Sequence, residues 1–162
     1  MDIAVCRAAD VPLLDRALPG PGRTSFHARR FARQRAGECT YLVAWRDGQP
    51  VGSAEMRWIG CAAPEVALDC PEIGGVAVRP EERSRGIGTA LIRACEELAR
   101  ERGLEVVGIG VAEDNPRAAA LYARLGYRPL VRYADRYAYV GADGRDHECV
   151  DMCTFLTRRV GG

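Results

Sequence analysis

The chain has 162 residues, 48% of them hydrophobic and 28% charged, with a formal net charge of +1. That length suits one domain with a full core, and so balanced a charge excludes a global field drawing the chain to nucleic acid or membrane. All 23 basic residues are arginine, which excludes a lysine-dependent Walker loop and lysine Schiff-base chemistry.

From the N-terminus, "MDIAVCRAAD" lacks the charged-then-apolar profile of a secretory signal, and no later run reaches the ~20 apolar residues of a membrane helix. A single domain over residues 1–162, soluble and cytoplasmic, is therefore expected. Residues 3–7 alternate as a short strand, and Asp10 offers a cap for a helix with Pro12 in its first turn. "PGPG" at 19–22 ends that helix, and Ser25 can cap a second one through about Ala36. "TYLVAW" and "PVGSAEMRW" flank "RDGQ", a hairpin signal. Residues 60–71 read as a loop. "EIGGVAV" at 72–78 reads as a buried strand whose paired glycines suggest a bulge.

Apolar residues at 87, 91, 95 and 98 predict a helix that Gly103 stops. "EVVGIGV" at 105–111 is a further buried strand. "NPRAAALYARLG" predicts a short helix, with Asn115 at its cap, Pro116 at its first position and Gly126 past its end. Two strands around "GADG" complete the chain. The strand–helix–strand segment 72–111 implies local parallel pairing and the hairpins imply antiparallel neighbours, so the pattern predicts a mixed α/β sheet. Seven cysteines are scattered without CxxC spacing, and His147, Cys149 and Cys153 on a straight strand are too far apart for one zinc ion. No metal site is expected.

The turn "RSRGIG" at 83–88 carries the chemistry. It follows a buried strand and opens a helix, where free amides and the positive end of the dipole favour an anion. The dinucleotide pattern GxGxxG fails, because Leu91 stands at its last position. What remains is Arg-x-x-Gly-x-Gly. With "GVAVRPEERSRGIGTALI" before the helix and "NPRAAALYARLGYRP" after the next strand, the segment 72–130 resembles the acyl-coenzyme A signature region of the GNAT superfamily of N-acetyltransferases.

The resemblance implies a mostly antiparallel central sheet of about seven strands with a splayed parallel pair and about four helices. It implies that acetyl-CoA is the cosubstrate, with no metal. Arg83, Ser84, Arg85, Gly86, Ile87, Gly88 and Thr89 would hold the pyrophosphate, chiefly through backbone amides. Val76, Ala77 and Val78 would pair with the pantetheine arm, and an N–H there would stabilise the developing oxyanion. Asn115 resembles the family's coenzyme-contacting asparagine, a role compatible with helix capping. Tyr122 matches the tyrosine near the sulfur, although Ala118, Tyr122 and Leu125 also share a core-type helical face. Glu72 matches an early-strand glutamate used as general base. Gly110 occupies the place of an alternative glutamate, with Glu55, Asp69 and Glu113 in reserve.

The expected reaction is direct transfer to an amine in a ternary complex without an acyl-enzyme. The competing readings are a catalytically silent coenzyme-binding regulator and a nucleic-acid module using "HARRFARQR"; the balanced charge argues against the second. Residues 21–37 hold five arginines and no acid, whereas 60–75 hold Glu65, Asp69 and Glu72 and no base. The acceptor amine is not specified by these segments, and a homodimer is left open.

Overall fold

The computed structural model describes all residues 1–162. Strand β1 (Asp2–Val5) is followed by helices α1 (Val11–Ala17) and α2 (Phe26–Arg35). Ser25 caps α2 as expected, accepting the Ala28 N–H at 3.0 Å. Asp10 does not cap α1. Its carboxylate accepts the Arg7 N–H at 2.8 Å and closes a 3-10 turn, Ala8–Asp10, that precedes the helix.

Strands β2 (Cys39–Arg46) and β3 (Gln49–Arg57) form the predicted hairpin. Asp47 and Gly48 both have positive φ, 51° and 73°, the pattern whose twist matches the flanking strands. Next come β4 (Glu72–Val78), α3 (Ile87–Glu101), β5 (Val106–Ala112), α4 (Pro116–Arg124), β6 (Arg128–Val140) and β7 (Asp146–Arg159). They form one seven-stranded sheet in the order β1-β2-β3-β4-β5-β7-β6. Only β4 and β5 run parallel, so the mixed, mostly antiparallel architecture is the observed one.

The parallel contact is short. It comprises Glu72 opposite Gly108 and Ile73 opposite Ile109. On the other edge of β4, Ser53 pairs with Ala77 and Glu55 with Gly74, so Ala54 alone faces Gly75 and Val76. That two-against-one count is a β-bulge, and it bends β4 away from β5. Gly75 has φ +58°, a left-handed conformation that L side chains disfavour. The glycine pair thus creates a V-shaped gap between the two strands.

Helix α3 buries Ile87, Leu91, Ile92, Cys95 and Ala99 against Met56, Ile73, Val107 and Ile109 of the sheet. Helix α4 adds Tyr122 to the same core. The opposite face is covered in two parts. Helices α1 and α2 shelter Tyr41 and Val43, while loop 60–71 lays Val66 and Cys70 on Tyr133, Cys153 and Phe155. Glu96 is fully buried beneath α3, where Arg93 at 2.8 Å, the Tyr127 hydroxyl at 2.9 Å and Arg158 at 2.6 Å meet it. Burial pushes its carboxyl up, but these three donors outweigh burial and hold it below the usual carboxylate range. The cluster locks α3 to β7 and to Tyr127, which lies beyond the end of α4. No helix is long and apolar enough to cross a membrane.

Candidate active site

The turn between β4 and α3 is built mostly from backbone. After a 3-10 turn at Pro80–Glu82, Ser84 and Gly86 take left-handed φ values of 62° and 80°. Gly86 is the N-cap of α3, and no side chain caps this end of the helix. The first-turn amides therefore lack the usual side-chain acceptor and suit an anion. A Cβ placed on Gly86 would meet nothing within 4 Å, so open space adjoins the turn.

That space is a groove of about 990 Å³. The signature turn lines one end through Arg83, Ser84, Gly86, Gly88 and Thr89, with Ile87 contributing beside them. Val76, Ala77 and Val78 of the bent strand form one wall, and Asn115 and Tyr122 of the next helix form the other. A smaller cavity of about 200 Å³ fills the gap between β4 and β5 and shares Val76, Asn115, Ala118 and Tyr122 with the groove. The two spaces meet at Tyr122. The groove thus gathers all the expected site residues except Arg85 and Glu72.

Arg85 points its charge at Glu82, 3.4 Å away, and Arg83 donates to the Val78 carbonyl at 3.3 Å. Asn115 accepts the Ala118 N–H at 3.1 Å, so it caps α4 while lining both cavities. Tyr122 is 7% exposed, and burial pushes its hydroxyl up to about 12. It stays protonated at neutral pH and can donate. Arg117 was not anticipated. It stands two positions after Asn115 in the quoted motif, lines the groove, and donates to Ser84 Oγ at 2.8 Å.

Glu72 lies at the closed end of the V, outside both cavity linings. It is buried rather than solvated, 3.5 Å from Arg57, and its Oε2 has no hydrogen-bond partner. Burial raises its pKa, Arg57 opposes that, and Asp135 and Glu55 raise it further. The reserve acids are placed otherwise. Arg33 holds both oxygens of the buried Glu55, at 2.7 and 2.8 Å. Glu113 is exposed and paired with Arg132, and Asp69 is exposed on the loop.

The far mouth of the gap has two side chains that sequence reading missed. The Tyr133 hydroxyl fills the space where a side chain on Gly110 would stand. Arg30 of α2 lies over Gly75, where a Cβ would come within 2.8 Å of its guanidinium. Arg30 belongs to the run of five arginines at 21–37; its depth depends on how α2 docks, which no local pattern encodes.

The profile of the Acetyltransferase (GNAT) family matches residues 11–127. An uncharacterized N-acetyltransferase of Methanocaldococcus jannaschii is 39% identical over 90 residues, covering 54% of this chain and 38% of that protein. The chain thus spans well under half the length of this curated relative. Among solved structures, a ribosomal-protein-alanine N-acetyltransferase from Brucella melitensis superposes with TM-score 0.68 at 26% identity, covering 98% of this chain and 99% of that one. The yncA protein of Salmonella typhimurium, solved with its cofactor acetyl-CoA, superposes with TM-score 0.65 at 21% identity and covers 98% of this chain and 93% of its own.

Proposed function

The chain belongs to the GNAT family of acetyltransferases, and from that premise we propose that it transfers an acetyl group from acetyl-CoA to a primary amine. One observation carries this reading. The uncapped, left-handed start of α3 opens onto a groove that runs along a bulged strand and ends at a buried tyrosine. Pyrophosphate takes the amides of residues 84–89, and pantetheine pairs along Val76, Ala77 and Val78. The solved relative with acetyl-CoA supports that choice of occupant.

In the proposed reaction the ammonium of the acceptor first loses a proton, with Glu72 receiving it directly or through water. The free amine then attacks the thioester carbonyl. The nitrogen–carbon bond forms, the nitrogen sheds its second proton, and the carbon–sulfur bond breaks to release a thiolate. The groups near the bulge stabilise the oxyanion. A tyrosine near pKa 12 is a weaker acid than a thiol near ~8.5, so complete proton transfer from Tyr122 would run roughly 5 kcal/mol uphill. Tyr122 therefore acts as a hydrogen-bond donor to the departing sulfur, which takes its proton from the acidified nitrogen or water.

Burial pushes the thiols of Cys70 and Cys153 up to about 11 and those of Cys39 and Cys95 up to about 12. Such thiols are not thiolates at neutral pH, which supports direct transfer over a cysteine acyl-enzyme. The test is a titration with acetyl-CoA, followed by assay of free thiol against a panel of amines. The panel includes a peptide with a free alanine amine, because the solved Brucella relative is named for a ribosomal-protein alanine. Micromolar binding with amine-dependent thiol release is the expected result. Binding without release from any amine would make the domain a coenzyme-binding regulator.

A further inference from the structure

We propose that Arg30 selects acceptors with a carboxylate beside the amine, so that the acceptor is a free amino acid rather than the end of a peptide chain. The inference rests on the acetyl-transfer reading and concerns the side of the gap opposite α3.

Gly74 and Gly75 leave the bulge bare, and the Arg30 guanidinium covers Gly75. Its side chain is only 19% exposed, and it lies 5.9 Å from the centre of the Tyr41 ring. A half-buried guanidinium gains from a close, well-aligned partner. The nearest carboxylate, Glu55, is already engaged by Arg33 at both oxygens. Arg30 Nε reaches it at 3.6 Å, an ionic contact beyond hydrogen-bond distance. Two guanidiniums thus share one carboxylate, and the triad carries a net positive charge beside the bulge. An anion supplied by a ligand would complete it.

The position of that anion is restricted. Gly75 adjoins Val76, and both line the small cavity that contains Tyr122. Arg30 lines neither cavity itself but covers Gly75, so an anion on it would sit at the bulge, beside the cavity that Tyr122 lines. Beyond Arg57, the rest of the mouth is acidic. Glu72 sits at the closed end, its Oε2 without a hydrogen bond and 3.5 Å from Arg57, and Asp135 stands directly opposite Asp151 on β6 and β7. A ligand with an anionic and a cationic group fits this polarity, with its carboxylate toward Arg30 and its ammonium toward the proton acceptor. A peptide N-terminus has a neutral amide where the free amino acid has its carboxylate, and would leave Arg30 without its partner.

The test compares each common L-amino acid with its own amide and with a tripeptide beginning with it. Initial rates of thiol release are measured for the native protein, Arg30→Gln and Arg30→Lys. The shift in Tm of the coenzyme A-saturated protein on adding each compound supplies a readout without turnover. At least one free amino acid should exceed its amide by roughly 30-fold in kcat/KM, the ratio that a charged hydrogen bond of ~2 kcal/mol gives. Arg30→Gln should bring that ratio near one, chiefly through KM, while the Kd for acetyl-CoA stays constant; Arg30→Lys should keep part of the preference. Equal use of amides or peptides by the native protein would overturn the proposal. So would an equal loss for both compounds in Arg30→Gln, which would leave Arg30 as a structural partner of Glu55. If no amine is acetylated, the transfer reading fails by itself. The Tm shifts then decide the anion site: a shift with free amino acids that Arg30→Gln abolishes upholds it, and no shift overturns it.

Discussion

The two sides of the β4–β5 gap are built by different means. On the α3 side the groove is made of strand edge, helix start and glycine, with most of its polar capacity in the backbone. On the far side the mouth is made of long side chains, Arg30 from α2 and Tyr133 from β6, with Arg57 of β3 and Glu72 of β4 at its closed end. A backbone site recognises what every coenzyme A molecule shares. A side-chain site can change its preference by single substitutions without disturbing the sheet. On the proposed function donor binding and acceptor choice are separable, and substitutions on each side should fail in different ways.

The largest effect belongs to the backbone side. Gly86→Glu forces a side chain onto a residue with φ +80° and puts a negative charge among the amides proposed to hold pyrophosphate. Acetyl-CoA binding should fall beyond detection in calorimetry, while circular dichroism shows a folded chain. Retention of micromolar affinity would mean that the coenzyme does not use this turn.

Next is Glu72→Gln, which should lower kcat/KM by about 100-fold or more if Glu72 is the base. A carboxylate base works only when deprotonated, so the native rate should rise with pH through the raised pKa, and the variant should lose that limb. Stability should move the other way. A carboxyl whose folded pKa is raised contributes stability below its unfolded pKa and loses that contribution as pH rises through the folded value. A neutral glutamine escapes that loss, so Tm at pH 7 should rise. A fall of several degrees would identify Glu72 as the structural partner of Arg57, 3.5 Å away.

The same division explains what the sequence could disclose. The bulge was legible because Gly74 and Gly75 interrupt an apolar run, and the signature turn because its glycines precede a helical period. Asn115 and Tyr122 followed from one contiguous motif. The far mouth was not legible. Arg30 and Arg33 look like any solvated run until α2 docks and places them on Glu55. Glu72 matched an early-strand base, yet the fold buries it beside Arg57 and outside both cavities. Gly110 read as a missing base, and only the fold shows the Tyr133 hydroxyl occupying that space. Local spacing encodes backbone conformation, whereas these contacts depend on long-range pairing.

A milder change tests where the two sides meet. Tyr122→Phe keeps the ring that packs against Tyr127, with centroids 6.3 Å apart, and removes only the hydroxyl. The kcat should fall about 10-fold, less than for loss of a full proton donor, because the hydroxyl assists the thiolate by hydrogen bonding. The Kd for acetyl-CoA should not move. An unchanged kcat would return Tyr122 to a purely packing role.

The smallest effect is expected at the rim. Arg117 is exposed and reaches Ser84 Oγ at 2.8 Å, which places a positive charge beside the turn proposed to hold pyrophosphate. An exposed charge contributes ~0.2–1 kcal/mol, so Arg117→Ala should raise the Kd of acetyl-CoA by no more than about fivefold. Because such a contribution is screened, the difference between native and variant should shrink between 0.05 and 0.5 M salt, as flagged by a Debye length falling from roughly 14 to 4 Å. A ratio that holds steady across that range would show that Arg117 acts instead by fixing Ser84 in its left-handed conformation. The rim would then belong to the backbone half of the site, and its loss should grow toward that of the Gly86 substitution.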